Sequence, residues 1–228
     1  MKISAFKNIK HYIFIGFMVL SSGAHAMTSD LIVNGGFETG DFSGWTVVNT
    51  GSGLWNINDG TFDPPGATPA HAPISGNFDA VSSQGGPGFH DLFQDVFLPG
   101  ANITSAVLSW DDRITNQAST FSDPNQEWRV LIEDAVSGAL ITEVFSTNPG
   151  DMNTDVTSRS FDLTGILSQL AGQAIRISFE EQDNLLFFNS QLDNVAFNVS
   201  TVPVPAAAWL FGSALLGFFG YSRRKKQA

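Results

Sequence analysis

Residues 126–132 read QEWRVLI, and the order of their side chains decides the fold class. In an extended chain successive side chains leave on opposite faces, so Trp128, Val130 and Ile132 share one face while Glu127, Arg129 and Leu131 share the other. The stretch AIRISF at 174–179 repeats the pattern, with Ile175, Ile177 and Phe179 opposed to Arg176 and Ser178. Helical periodicity is scarce elsewhere. β-Branched and aromatic runs recur instead between clusters of Gly, Pro, Asn and Asp. The pattern predicts strands near 44–48, 54–57, 78–82, 91–98, 103–110, 126–132, 140–145, 158–162, 174–179 and 192–199, with one short helix at 163–171. Strands without intervening helices argue an all-β protein, an antiparallel β-sandwich. Alternation puts Arg129 and Arg176 on outer faces near Glu127, Glu133 and Glu180, either as cross-strand charge pairs or as a polar ligand-binding face.

The two ends of the chain differ from its middle. Lys2, Lys7 and Lys10 precede an apolar run from Tyr12 to Leu20 and an Ala24-His25-Ala26 exit. This is the layout of a secretory signal peptide, residues 1–26, cut between Ala26 and Met27. The body, residues 27–200, holds all 22 acidic residues of the chain. Its only cations are Arg113, Arg129, Arg159 and Arg176, so four arginines set against 22 carboxylates leave it at −18. Such a surface repels nucleic acid and anionic polymers, having no cationic stripe from which to release counterions. It suits divalent cations and neutral partners. With no cysteine, no disulfide closes the body.

The body opens DLIVNGGFETGDFSGWTV at 30–47 and closes QLDNVAFNV at 191–199. Asn34, Gly35, Phe37, Glu38, Gly44 and Trp45 at the start, with Asp193, Asn194 and Val195 at the end, resemble the terminal motifs of jelly-roll carbohydrate-binding modules and the wider galactose-binding-like fold. The resemblance implies a jelly-roll sandwich. It also implies a structural calcium held by Glu38 and Asp193, with Asn34 in the adjoining glycine-rich segment, because a hard cation needs several oxygens from carboxylates and exposed carbonyls. Among the tryptophans, Trp45, Trp110 and Trp128 are expected in the core, and Trp55 is the aromatic expected at a ligand together with Arg129 and Arg176.

No catalytic constellation is predicted. Glu180, Glu181 and Asp183 cluster, and Asp111-Asp112 adjoin at an expected strand end, but neighbours on one strand point to opposite faces and do not oppose each other across a cleft. His71 and His90 are the body's only histidines. There is no His-Glu-x-x-His or Gly-x-Ser-x-Gly pattern, and Gln84–Gly88 reads as a turn.

After the body comes TVPVPAAAWLFGSALLGFFGYSRRKKQA, residues 201–228. Pro203 and Pro205 hold Val202-Pro203-Val204-Pro205 extended. Residues 206–221 carry no charge and make a short transmembrane helix about 24 Å long, against a hydrocarbon core of roughly 30 Å. Arg223 to Lys226 stay cytoplasmic under the positive-inside rule. The arrangement resembles a PEP-CTERM sorting tail, with Val204 where the usual motif has Glu. That resemblance implies export by signal peptidase, transient insertion in the inner membrane, processing by an exosortase at the proline motif, and delivery to the cell surface or extracellular matrix of a Gram-negative bacterium. The expected function is a non-enzymatic protein that binds or organises extracellular matrix polysaccharide. A purely structural matrix protein and a glycoside hydrolase are the alternatives.

Overall fold

The computed structural model describes residues 26–63, 71–83, 85–100, 102–118, 125–149, 151 and 155–202. Residues 1–25 and 203–228, on which the expected signal peptide, the proline motif with Pro203, Val204 and Pro205, and the expected transmembrane segment fall, lie outside the described residues. Among the described residues no helix is long and apolar enough to cross a membrane.

The chain forms strands β1 (Met27–Asp30), β2 (Thr46–Gly51), β3 (Leu54–Asn58), β4 (Asp79–Ser83), β5 (Gly88–Phe97), β6 (Ile103–Asn116), β7 (Gln126–Asp134), β8 (Leu140–Ser146) and β9 (Thr157–Asp162). A helical turn, α1 (Thr164–Leu167), and a 3-10 turn at Ser168–Leu170 come next, before β10 (Ala174–Asp183) and β11 (Phe188–Thr201). One sheet runs β3-β4-β11-β6-β9, with β1 added to β11; the other runs β2-β5-β10-β7-β8. Every pairing is antiparallel. The predicted β-sandwich is therefore what forms.

Alternation sets the core as expected. Trp128, Val130 and Ile132 of β7 and Ile175, Ile177 and Phe179 of β10 are fully buried, and Trp45, Trp110 and Trp128 are all core residues. Trp110 stacks on Phe161 at 5.4 Å and meets Phe179 edge-on at 5.6 Å. These large aromatics carry much of the apolar burial, a term that scales at roughly 25 cal/mol per Å².

Three features depart from expectation. Residues 27–30 form an extra strand, with Met27 opposite Thr201 and Asp30 opposite Asn198. The predicted nine-residue helix shrinks to two short turns, because no side chain caps its start and Gly172 takes φ +78° directly after it. Strands β6 and β10 run on beyond their apolar stretches, so Asp111 and Asp112 stand mid-strand and not at a strand end.

The two terminal motifs meet. Val195 N donates to Gly35 O at 2.9 Å, beside a bulge in β11 between Asp193 and Ala196. Asn34, Phe37 and Asn194 hold φ of 54°, 55° and 52°, a left-handed conformation that Asn tolerates better than most residues.

Candidate functional site

The residues expected at a ligand are elsewhere engaged. Trp55 is only 2% exposed; β3 turns it inward opposite Ser82, with its ring 6.0 Å from that of Trp128. It is a core residue and presents no face to a sugar. Arg129 is on the outer face, as expected, with Nη2 2.6 Å from Glu180 and Nε 3.7 Å from Glu127. Arg176 donates to both oxygens of Asp95 at 2.8 and 3.2 Å and lies 3.7 Å above the Phe93 ring. These are the cross-strand pairs that alternation allows, and both guanidinium groups are committed to them.

The acidic clusters split between faces. Glu180 faces outward beside Arg129, while Glu181 and Asp183 face the core at no measurable exposure. Ser82 Oγ hydrogen-bonds Glu181, and the His90 nitrogens lie 2.8 Å from Asn49 Oδ1 and 2.9 Å from Ser52 O. His90 and Ser82 are thus both buried, and neither is partnered with the other.

Glu38 and Asp193 come to one place, each within 4 Å of the Cβ position of Gly36, but their oxygens are occupied. Glu38 Oε1 accepts from Asn77 N at 2.8 Å and Phe78 N at 3.2 Å, and Oε2 from Asn77 Nδ2 at 3.0 Å. Asp193 Oδ2 accepts from both Ser75 N and Ser75 Oγ at 2.9 Å, and Oδ1 from Asn194 N at 2.7 Å. Asn34 is spent on its own turn, donating to Asp41 O and accepting from Thr39 N. Among the described residues no group of three or more His, Cys, Asp or Glu is placed to hold a metal. Three of the four lone-pair sites on each carboxylate are thus taken by N–H and O–H groups of the chain, which compete with the calcium expected there. These hydrogen bonds, led by the Asn77 side chain, hold the Glu38 carboxyl below its ordinary range.

The carboxylates clasp a loop instead. Asp79, fully buried, extends the clasp by accepting from Ile74 N at 2.9 Å. Residues 74–78 thus lend backbone donors to three acids from three parts of the chain. The same Asp79 accepts from Asn58 Nδ2 and Gln191 Nε2, both at 2.8 Å. Burial pushes its pKa up to about 6, against the pull of those donors. Asn58 and Gln191 also donate to the loop carbonyls of His71 and Ala72 at 3.1 and 3.2 Å.

Beside the clasp lies a small cleft, with about 10 Å³ of enclosed space, on the outer face of the β3-β4-β11-β6-β9 sheet. Register puts Val81, Gln191 and Arg113 in one row across β4, β11 and β6, with Asn189 and Thr115 in a parallel row. Those five side chains and Asn58 form the sheet side, and His71 and Phe62 form the loop side. Arg113 Nη1 donates to Gln191 Oε1 at 2.6 Å. Burial, and then the nearby Arg113 charge, push the His71 pKa down, so the ring is neutral near pH 7. With the Asn58 and Gln191 amides spent on Asp79 and the loop, the cleft offers the Arg113 guanidinium, the Thr115 hydroxyl, the His71 imidazole and the Phe62 ring, groups that can contact a polar ligand. Sequence reasoning missed it because its residues come from six separate segments. The available signal was parity: Arg113 and Thr115 alternate with the core residues Asp112 and Ile114.

No protein-family model matches the chain, and no curated protein does. Solved structures do. A carbohydrate-binding module, TmCBM61, in complex with β-1,4-galactotriose aligns at 16% identity over 74% of this chain and 97% of its own, TM-score 0.49. The CBM22-1 xylan-binding domain of Paenibacillus barcinonensis Xyn10C aligns at 10% identity over 80% and 99%, TM-score 0.48. The cyclase Fisc from Fischerella sp. TAU aligns at 16% identity over 78% and 100%, also with TM-score 0.48. The matches thus include both binding modules and enzymes, and the function of this chain has to be argued from its own cleft.

Proposed function

We propose that the body is a non-catalytic saccharide-binding sandwich, exported by its leader and sorted by its proline-containing tail to the cell surface or matrix, where it binds matrix polysaccharide. The observation that carries this reading is the cleft. It is shallow, set beside the clasped loop, and lined by groups that hydrogen-bond hydroxyls beside one aromatic ring. Sequence supports it through the resemblance of both terminal motifs to carbohydrate-binding modules. The carboxylates near the cleft are engaged as loop and amide acceptors. Asp79 in particular is sealed beneath Asn58 and Gln191, so the acid–base pair of a glycosidase is not assembled there.

The reading is tested by isothermal titration of the full-length protein with galactotriose, xylotriose and tri-galacturonate. Binding to at least one of them is expected, weakened in Phe62→Ala and in Thr115→Val. Absence of binding to all three, or binding unaffected by both substitutions, would assign the ligand surface elsewhere or leave a purely structural sandwich.

A further inference from the structure

Three of the four arginines in the body are neutralised by carboxylates: Arg129 by Glu180 at 2.6 Å, Arg159 by Asp112 at 2.5 Å and Arg176 by Asp95 at 2.8 Å. Arg113 is the exception. Among the described residues no carboxylate lies within ion-pair reach of it, and its hydrogen bond goes to the neutral Gln191 amide. Among the described residues Arg113 is thus the one body arginine outside an ion pair, and it lines the cleft. None of the residues lining the cleft is a carboxylate. His71 is held neutral, and the Asn58 and Gln191 amide groups are turned away toward Asp79 and the loop carbonyls.

We propose that the saccharide bound in this cleft carries a carboxylate, as a uronate residue does, and that Arg113 is the group that receives it. This rests on the reading of the cleft as a saccharide site. Gln191 takes one N–H of the guanidinium, and the planar fork has further donors whose spacing matches the two oxygens of a carboxylate. Thr115, two residues along the same outer face of β6, supplies a hydroxyl for the sugar ring. The overall charge of the body disfavours long polyanions at a distance, so recognition is by a single acidic unit at short range and not by an extended electrostatic track.

The test is titration of the full-length protein at 0.15 M salt with tri-galacturonate, galactotriose and a sulfated galactotriose, for wild type, Arg113→Gln and Arg113→Lys. Tri-galacturonate is expected to bind about tenfold tighter than galactotriose, the margin typical of a charge-assisted pair. Arg113→Gln should reduce it to the level of galactotriose, with a melting temperature close to wild type, and Arg113→Lys should fall between. Equal affinities in wild type, or a preference that survives Arg113→Gln, would overturn the proposal. Tighter binding of the sulfated sugar would overturn the carboxylate assignment. If galactotriose alone binds, the cleft remains a saccharide site and only the uronate inference falls; if nothing binds, the cleft reading fails first and takes this one with it.

Discussion

A methyl group added to Gly35 would lie 1.9 Å from the carbonyl oxygen of Val195. The two motifs at the ends of the body are joined by this approach of backbone to backbone, and only glycine permits it. Gly35→Ala is therefore expected to cost several kcal/mol, or to prevent folding, whereas Gly36→Ala, whose added methyl group stays 3.7 Å or more from its neighbours, should be tolerated. Urea denaturation of both variants is the check; equal stability would show that the two backbones separate without penalty.

The loop clasp predicts indifference to calcium. The melting temperature should be the same in excess calcium and in chelator, while Asp193→Ala should destabilise by about 2–3 kcal/mol, because it strands the Ser75 donors. A rise in melting temperature with calcium that Glu38→Gln removes would restore the metal to these residues.

Stability should rise on mild acidification. Burial lifts the Asp91 carboxyl to about 7 and the Asp79 and Asp183 carboxyls to about 6. The unfolded chain, titrating near 3.8, has already released those protons. Between about pH 4 and 7 folding takes up protons, so stability grows as pH falls through that window. The exposed carboxylates Glu38, Asp41 and Asp162 have lowered values and act in the opposite sense below it. A melting temperature higher at pH 5 than at pH 8 is expected, with Asp91→Asn flattening the difference. A steady decline from pH 8 to pH 5 would contradict the protonated assignments.

Strand centres were legible because each has an apolar parity facing one core. Strand ends were not. β6 continues through Arg113, Thr115 and Asn116, and β10 through Glu180 to Asp183, since their partners in β11, β5 and β7 complete the ladders. Local composition holds no trace of that pairing. Trp55 shows the opposite case: Trp55 and Ile57 share a parity, which is enough to turn both inward. The terminal motifs were legible as fold markers, yet the partners of Glu38 and Asp193 are set by where residues 74–78 fall in space, which no spacing along the chain reveals.

Trp55→Ala is accordingly a stability variant. Removing a buried indole should cost about 3–5 kcal/mol, measured by denaturant titration, and should leave the saccharide affinity of the folded fraction unchanged. Loss of affinity at full stability would move Trp55 from the core to the ligand.

Export and sorting predict the mass of the mature protein. Material recovered from the cell surface should lack residues 1–26 and most of those after Pro205. An intact C-terminus on that material would reduce the tail to an ordinary anchor.

Strand β11 runs from the cleft to the last strand residue of the sandwich. It enters the cleft at Asn189 and ends at Thr201, and the twelve residues of rise between them amount to roughly 40 Å at about 3.3 Å each. Because β1 pairs with the same terminal segment, the first residue of the body emerges beside the last. The ends of β1 and β11 therefore share one end of the sheet, and the cleft lies toward the other. A saccharide bound in the cleft would thus lie a strand's length from both Met27 and Thr201.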